Sequence, residues 1–362
     1  METKLRIEPV VINGKELETP IIVSGPCSAE TEEQVIKTGH MIADMGIPIF
    51  RAGIWKPRTR PGNFEGLGAV ALPWLEKLKK ETGLLLASEV ANTYHIKEAL
   101  KHGVDILWIG ARTTANPFAV QELADYLSGK DIPIFVKNPI NPDIDLWIGA
   151  LERFNKAGLN KLVAIHRGFS FYGPSNYRNK PQWGIPIELK RRFPELPVIT
   201  DPSHICGRRD LLQGVCQKAL DLNFDGLFIE SHIDPENALS DKEQQVTPAE
   251  LKKMLDSLVW RKPQVNGLEI LKDLEDYRTE IDRLDDKIIH TIETRMKVVE
   301  KIGEYKLQNG ITILQSDRWA DILKGRTELG KKLGLSEEFV TTILKAIHQE
   351  SINKQTKIMN RE

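Results

Sequence analysis

Proline is absent from the last 99 residues of the chain, Gln264 to Glu362, although 20 prolines lie before that point. Because proline interrupts helices and marks loops, this absence predicts long helices in the tail and many short elements upstream. We therefore expect one domain over residues 1–260, a linker over 261–267 and an all-α domain of three helices over 268–362.

The chain also lacks the marks of several other classes of protein. Three cysteines are too few for a disulfide framework, which favours a reducing, cytoplasmic setting. Lysine and arginine number 50 against 51 aspartates and glutamates, so there is no basic excess of the kind that a general nucleic-acid binder carries. No apolar run approaches the roughly 18–20 residues of a membrane helix. We expect neither a nucleic-acid nor a membrane partner.

Short β-branched apolar runs occur eight times between residues 21 and 231, each followed by a helix-like stretch. Apolar strands that alternate with helices indicate a parallel sheet covered on both faces. Eight such units in about 250 residues have the count and size of a (β/α)8 TIM barrel. A doubly wound sheet would usually have fewer strands and a glycine-rich first turn, and the chain has no GxGxxG motif. Asn13-Gly14, between two alternating runs, predicts a short β-hairpin before the barrel.

The catalytic face of such a barrel lies at the C-terminal ends of its strands. Nearly every predicted strand ends in a charged or metal-binding side chain, the set being Cys27, Arg51, Glu89, Arg112, Lys137, His166, Arg167, Asp201, His204 and Glu230. One strand-end charge is more often simply solvated, but several cations at one mouth are costly without an anionic ligand. Guanidinium groups suit phosphate and carboxylate, so we expect a small, highly anionic substrate.

Four side chains near this mouth are possible ligands of a divalent ion, namely Cys27, His204, Glu230 and Asp241. Thiolate, imidazole and carboxylates from separate loops can hold such an ion with open positions. A single cysteine or histidine near a strand end is more often a packed thiol or a hydrogen-bonded ring. The other two cysteines, Cys206 and Cys216, we interpret as structural.

Seven motifs follow one another at the predicted strand ends: GPCS (25–28), RAGIWKPRT (51–59), IGAR (109–112), VKNP (136–139), HRG (166–168), DPSH (201–204) and ESHIDPENALSD (230–241). Together they resemble 3-deoxy-D-arabino-heptulosonate-7-phosphate (DAHP) synthase of the short, type I-beta form, over roughly residues 5–258. The resemblance implies condensation of phosphoenolpyruvate with erythrose 4-phosphate.

The resemblance also implies roles for individual residues. It makes Cys27, His204, Glu230 and Asp241 the ligands of one divalent ion, Mn²⁺ or similar. Arg112, Lys137 and Arg167 would bind the phosphate of phosphoenolpyruvate, Arg51 and Lys56 its carboxylate, and Arg58 and Thr59 the erythrose phosphate. His166 is counted with the substrate-binding residues. Lys56 and a metal-bound water are the two candidates for proton delivery, and Glu89 is a candidate for positioning the attacking water.

The closest rival is the sister enzyme 3-deoxy-D-manno-octulosonate-8-phosphate synthase, which uses arabinose 5-phosphate with the same donor. That family carries KANRS where this chain has KPRT at 56–59. The motif favours erythrose 4-phosphate.

In the tail, apolar residues recur at spacings of 4, 3, 4, 3 and 4 from Ile270 to Ile288, which predicts one buried face of a long helix. The same rhythm places Arg295 and Lys306 on that face, about 16 Å apart along the axis. Either these long side chains extend to solvent, or they form an internal site for a small dianion. A helix of about 38 residues, roughly 57 Å, needs a partner, most simply a second copy of the chain.

This tail resembles the all-helical chorismate mutases over about residues 268–357. The substrate-binding positions of that family fall on Arg278, Arg295, Lys306, Arg318, Ser351 and Gln355. The resemblance implies rearrangement of chorismate to prephenate without a cofactor, in an intertwined homodimer. Arg295 and Arg318 would bind carboxylates, and Lys306 and Gln355 the ether oxygen. Arg278, about 26 Å along the helix from Arg295, would come from the other subunit.

Two residues depart from the mutase pattern. Trp319 stands where an acidic residue usually binds the substrate hydroxyl, and Gln315 where aspartate is common. The alternative is therefore a tail that mainly dimerises and regulates by binding chorismate or prephenate, with prephenate the expected feedback ligand. A merely structural tail would leave six aligned polar residues unexplained.

Overall fold

The computed structural model of the chain describes residues 4–56, 62, 64–261 and 268–360. Two compact units make up the chain, Met1–Pro263 and Gln264–Glu362. Arg58 and Thr59, which the sequence assigns to the erythrose phosphate, lie outside the described residues, as do residues 262–267 of the expected linker.

A two-stranded antiparallel hairpin precedes the barrel, at the place the sequence predicts. Its strands are β1 (Val11–Ile12) and β2 (Lys15–Glu16). The turn residues Asn13 and Gly14 have φ angles of 52° and 76°. Asparagine and glycine tolerate this left-handed conformation, which a two-residue hairpin turn requires.

Eight parallel strands close into a barrel in chain order, with the last strand pairing with the first. The (β/α)8 barrel predicted from the apolar runs is confirmed. The strands are β3 (Ile21–Gly25), β4 (Ile49–Arg51), β5 (Leu85–Val90), β6 (Ile106–Ile109), β7 (Ile134–Lys137), β8 (Leu162–His166), β9 (Val198–Thr200) and β10 (Gly226–Glu230).

Helices surround this barrel and cover the outer face of its strands. They are α1 (Glu32–Asp44), α2 (Leu72–Thr82), α3 (Thr93–Lys101), α4 (Ala111–Thr114), α5 (Pro117–Leu127), α6 (Ile144–Lys156), α7 (Gly184–Arg192), α8 (Pro202–Cys206), α9 (Leu212–Asp221) and α10 (Pro248–Ser257). Since successive residues of a strand point to opposite faces, one apolar cluster fills the barrel interior and a larger one lies between strands and helices.

Three helices form the second unit: α11 (Leu268–Gln308), α12 (Ser316–Lys332) and α13 (Glu337–Asn360). Gly310, with a φ of 63°, follows the end of α11. Ser336 Oγ accepts the Phe339 N–H at 3.2 Å and so caps the start of α13. The sequence predicts all three helices, and α13 packs against both others.

The apolar stripe in the first half of α11 is not buried within this chain. Leu274, Tyr277, Ile281, Leu284 and Ile288 are 41–71% exposed, whereas Met296 and Val299, further along, are buried. α12 and α13 supply no cover there, so burial of this half of the stripe by a second copy of the chain stays a prediction. In the part of the chain that is described, no helix has the length and apolarity to cross a membrane.

Candidate active sites

Two aromatic rings form the floor of the barrel mouth. Trp108 of β6 and Phe228 of β10 meet edge to face, with ring centroids 5.2 Å apart, and both are fully buried. Arg51 Cζ lies 4.9 and 4.5 Å from the two ring centroids, and Lys137 Nζ lies 5.9 and 5.1 Å from them. Cations are attracted to such ring faces, so the floor holds two strand-end cations side by side.

Each of these cations also has a buried carboxylate partner. Arg51 Nη2 donates to Glu230 Oε1 at 3.0 Å, and Lys137 Nζ donates to Asp201 Oδ2 at 2.8 Å. Burial of charge is tolerated when it is paired. Arg51 Nε and Nη1, however, are buried and have no hydrogen-bond partner among the described residues. These donors are available to an anionic ligand.

Further cations surround Arg167 at the end of β8. The pKa of Arg167 is lowered to about 10, mainly because the side chain is buried and also because Arg178 and Arg112 repel its charge. The negative charge of Asp201 opposes this shift. The charges of the three arginines are thus close enough to interact. The structure brings Arg112 and Arg167 together as the sequence predicts, and it adds Arg178, for which the sequence assigned no role.

The four predicted metal ligands form two pairs. The Cys27 thiol donates to Asp241 Oδ2 at 3.2 Å, and His204 Nε2 lies 3.8 Å from Glu230 Oε1. Burial, reinforced by the negative charge of Glu230, raises the pKa of the Cys27 thiol to about 12. Lys56 Nζ lies 2.6 Å from Cys27 Sγ, so the structure places this lysine beside one of the predicted metal ligands.

The outward atom of each imidazole or carboxylate ligand lies close to a neighbouring polar side chain. His204 Nδ1 lies 2.8 Å from Asp201 Oδ2, Gln244 Nε2 donates to Glu230 Oε2 at 2.7 Å, and Arg178 Nη1 donates to Asp241 Oδ1 at 3.0 Å. Such outer contacts orient metal ligands. They leave His204 Nε2, Glu230 Oε1 and Asp241 Oδ2 directed at the other predicted ligands.

These residues fit a divalent metal in their chemistry. Thiolate, imidazole and carboxylate suit Zn²⁺, Mn²⁺ and related ions, and two ligands of one tetrahedral ion lie about 3.3–3.8 Å apart, close to the spacing within each pair. Among the described residues, no three such side chains are gathered tightly enough to form a metal-binding group as they stand. In this structure three of the four side chains instead contact cationic groups of the protein: Lys56 lies against Cys27, Arg51 against Glu230 and Arg178 against Asp241.

Glu89 lies at the edge of the aromatic floor. Trp108 Nε1 donates to Glu89 Oε2 at 3.0 Å, which ties the half-buried carboxylate to the ring that carries both cations. A methyl group on Gly110 would overlap Glu89 Oε1. The carboxylate therefore has a fixed position, as its predicted role with the attacking water requires.

His166, at the end of β8, is fully buried. Its Nε2 donates to the Pro181 carbonyl at 2.7 Å, and its ring packs against Trp183 and Phe224. Burial lowers the pKa of His166 to about 4. Only Nδ1, which has no partner among the described residues, is left for a ligand, so substrate binding by this residue stays a prediction.

Sequence reasoning assigned no role to several residues of this site. Trp108 and Phe228 could have been found from the strand period, since Phe228 lies two residues before Glu230 and so shares its face of the strand. Arg178 lies in the long loop between β8 and α7, and Gln244 ends a single 3-10 turn, Lys242–Gln244; neither segment has a repeating pattern that marks these residues.

The second unit contains a separate polar cluster. Arg295 Nη1 of α11 donates to Ser351 Oγ of α13 at 2.7 Å. Lys306 is buried, and its Nζ donates to the Ile313 carbonyl at 2.6 Å. Gln355 is buried too, and its Oε1 has no partner in the described part of the chain. Four of the six predicted mutase residues thus lie on the facing helices α11 and α13 or at the end of α11.

The remaining two predicted residues are exposed. Arg318 is exposed near the start of α12, beside Trp319, whose ring stacks on His348 of α13. Arg278 is exposed on the first half of α11, 3.4 Å from Glu275. Seventeen helical residues separate it from Arg295, about 26 Å, so one chain does not bring these two arginines to the same ligand.

Comparison with known proteins bears on both units. Residues 2–265 match the family model described as the DAHP synthetase I family, and residues 277–356 match the model for chorismate mutase type II. The chain belongs to the DAHP synthetase I family. It joins this barrel to a chorismate mutase domain, as the two resemblances in the sequence predict.

Individual relatives agree with this placement. The chain is 29% identical over 244 residues to phospho-2-dehydro-3-deoxyheptonate aldolase of Thermotoga maritima, covering 66% of this chain and 70% of that protein. The crystal structure of the DAHP synthase of Thermotoga maritima superposes with a TM-score of 0.62 at 27% identity, covering 69% and 72% of the two chains. A 2-dehydro-3-deoxyphosphooctonate aldolase of Variovorax paradoxus is 28% identical over 260 residues, 66% of this chain and 88% of that protein.

Proposed function

We propose that the barrel of this DAHP synthase condenses phosphoenolpyruvate with erythrose 4-phosphate, and that the helical domain rearranges chorismate to prephenate. Both reactions belong to aromatic amino-acid biosynthesis. The observation that carries the first is Arg51, a buried guanidinium group with two unpartnered donors on an aromatic floor. Such a group suits a planar carboxylate, and the neighbouring cations suit a phosphate.

Phosphoenolpyruvate has its carboxylate and its phosphate on one carbon, and the site offers a cation set for each. Arg51, with Lys56 nearby, binds the carboxylate. Arg112, Lys137 and Arg167 bind the phosphate, and the repulsion that lowers the pKa of Arg167 is relieved when an anion arrives. Arg58 and Thr59, outside the described residues, bind the phosphate of the second substrate.

The reaction forms one carbon–carbon bond and releases inorganic phosphate. The enol carbon of phosphoenolpyruvate attacks the aldehyde carbon of erythrose 4-phosphate, water adds to the carbon that carries the phosphate, and the carbon–oxygen bond to the phosphate breaks. Glu89, held by Trp108, orients the attacking water. Lys56 delivers a proton to the oxygen of the former aldehyde, and the surrounding cations stabilise the charge that develops.

Cys27, His204, Glu230 and Asp241 would hold one divalent ion, Mn²⁺ or a similar metal. When bound, it supplies Lewis-acid polarisation of the aldehyde oxygen. Chelation of the full-length enzyme should abolish DAHP formation, and Mn²⁺ should restore it to the native protein but not to Cys27→Ala. Cys216→Ala, which alters a buried cysteine of α9, is the matched control. DAHP synthesis undiminished after verified removal of metal would contradict this assignment.

The choice of second substrate tests the barrel function. Full-length protein is supplied with phosphoenolpyruvate and either erythrose 4-phosphate or arabinose 5-phosphate, and phosphate release is followed. We expect turnover with the first aldehyde and at least hundredfold slower turnover with the second. Preference for arabinose 5-phosphate would overturn the proposal in favour of the octulosonate reaction.

The mutase function rests on the cluster formed by Arg295, Lys306, Ser351 and Gln355. The rearrangement needs no nucleophile, only groups that hold the reactive conformer and stabilise charge on the breaking ether. Gln355 is buried with an unpartnered Oε1, while its Nε2 donates to the Ser351 carbonyl at 3.3 Å. A half-turn of this amide directs its N–H to the ether oxygen. Loss of chorismate measured for the full chain should fall at least hundredfold in Arg295→Ala and Lys306→Ala. Unchanged turnover in both variants would contradict the assignment.

We further propose a cytoplasmic homodimer in which the open stripe of α11 packs against its equivalent and Arg278 enters the other subunit's mutase site. The stripe is apolar and exposed in the single chain, and exposed apolar surface of this extent indicates an interface. Prephenate, the mutase product, is the proposed feedback ligand of the barrel reaction. Failure of added prephenate to slow DAHP formation would contradict that last point.

A further inference from the structure

A stacked pair of rings lies beside the polar cluster of the helical unit. Trp319 of α12 and His348 of α13 have ring centroids 3.9 Å apart and planes inclined by only 6°. His348 lies three residues before Ser351 and seven before Gln355, so the three share one face of α13. Ser351 in turn bonds to Arg295. The pair therefore lines the same site as the predicted mutase residues.

The stack fixes the imidazole without occupying its nitrogens. In a face-to-face stack the ring nitrogens point outward from the edge of the pair, and no hydrogen bond engages either nitrogen of His348 among the described residues. Burial and the nearby positive charge of Arg295 lower the pKa of His348. A neutral imidazole has one acceptor nitrogen and one donor.

Among the other side chains of the site, Gln355 has one unpartnered acceptor, Oε1, but this residue is already assigned to the ether oxygen, to which its amide must present an N–H. Arg295 and Lys306 only donate, and Ser351 Oγ already accepts from Arg295 and donates to the Ile347 carbonyl. The indole of Trp319 also only donates. Glu300, on the adjoining part of α11, is paired with Lys354. Chorismate carries a ring hydroxyl besides its carboxylates and ether oxygen, and this hydroxyl needs an acceptor.

We propose that His348, held in orientation by the Trp319 ring, accepts the hydrogen bond of the chorismate hydroxyl and so takes the place of the acidic residue expected at position 319. The proposal rests on the mutase function proposed above. Trp319 is a positioning residue in this account, since it acts by fixing the plane of the imidazole.

Two substitutions separate hydrogen bonding from packing. His348→Leu keeps the volume of the side chain and removes the acceptor, whereas His348→Gln retains an acceptor oxygen. We expect the kcat/KM for chorismate to fall about tenfold to hundredfold in His348→Leu, the range for leaving one polar group unpaired, and to recover to within about threefold of the native value in His348→Gln. His290→Leu, an exposed histidine of α11, is the matched control and should leave kcat/KM unchanged.

A substrate analogue shows whether the hydroxyl is the group involved. With chorismate in which the ring hydroxyl is replaced by hydrogen, native protein and His348→Leu should have the same kcat/KM. The proposal would be overturned if His348→Leu had the native kcat/KM for chorismate, or if His348→Leu and His348→Gln lost kcat/KM equally. It would also be overturned if the kcat/KM of His348→Leu stayed below that of native protein with the analogue. If His348→Leu does not fold, as judged by thermal unfolding, His348→Ala takes its place. Absence of chorismate turnover in the native full-length protein would instead overturn the mutase function itself.

Discussion

Arg51 and Glu230 form an ion pair at 3.0 Å inside the barrel, and both side chains are almost completely buried. From the sequence, Arg51 is assigned to the substrate carboxylate and Glu230 to the metal, as two separate roles. The ion pair connects the two residues directly. The carboxylate that would bind the ion also holds the guanidinium that would bind phosphoenolpyruvate. Substrate binding and metal binding therefore share a charged group.

The importance of this buried pair is tested by comparing the unfolding free energies of two variants, one at Arg51 and one at Arg112, an exposed cation of the same barrel mouth. Arg51→Leu should lower the free energy of unfolding by about 3–5 kcal/mol, because it leaves the buried carboxylate of Glu230 without its partner. Arg112→Leu, at an exposed position, should change it by no more than about 0.5 kcal/mol and raise the KM for phosphoenolpyruvate at least tenfold. Urea unfolding and steady-state kinetics measure both, and equal stability of the two variants would contradict the buried-pair account.

The Trp108–Glu89 hydrogen bond gives a second prediction. Trp108→Phe keeps an aromatic ring under Arg51 and Lys137 but removes the N–H that Glu89 accepts. We expect kcat for DAHP formation to fall about tenfold, because Glu89, which we propose orients the water, loses its fixed position. The KM for phosphoenolpyruvate should stay within about threefold of native, because Arg51 and Lys137 keep an aromatic ring beneath them. A change confined to KM would show that the ring serves binding alone.

His166 predicts how barrel stability depends on pH. Its folded pKa, about 4, lies below the ordinary value of 6.5, so between these values the unfolded chain binds more protons. The stabilising contribution is complete above pH 6.5 and is lost as the pH falls towards 4, to a total of about 3 kcal/mol. The free energy of unfolding of native protein, followed by tryptophan fluorescence from pH 7.5 to 4.5, should fall more steeply than that of His166→Asn. Parallel curves for the two proteins would contradict the pKa shift.

The stripe of α11 yields a prediction about assembly. Ile281→Glu places a charge in the exposed apolar surface and should shift the protein towards monomer in sedimentation experiments, with chorismate turnover reduced at least tenfold because Arg278 no longer reaches the other subunit. Thr279→Glu adds the same charge on the opposite face of the helix and should leave both properties unchanged. A native protein that sediments as a monomer with full mutase activity would rule out the shared site.

The barrel was predictable from the sequence because its strands are buried on both faces and so stand out as continuous apolar runs. Residues at strand ends, such as Arg51 and Lys137, were predictable as well, since the closure of eight parallel strands brings those ends to one mouth. Arg178 was not, because it reaches Asp241 from a long loop whose course has no periodic signal. The stack of Trp319 on His348 joins two helices, and helical periodicity describes each helix without fixing which ring meets which.

The central claim is that one chain carries two separate catalytic sites, and paired activity measurements on the full-length protein test it most directly. Phosphate release from phosphoenolpyruvate with erythrose 4-phosphate, and loss of chorismate, are measured for native protein, Arg112→Leu and Arg295→Ala. We predict that native protein catalyses both reactions, that Arg112→Leu at limiting phosphoenolpyruvate loses mainly the first, and that Arg295→Ala loses mainly the second. A native chain that catalyses only one of the two reactions would contradict the account.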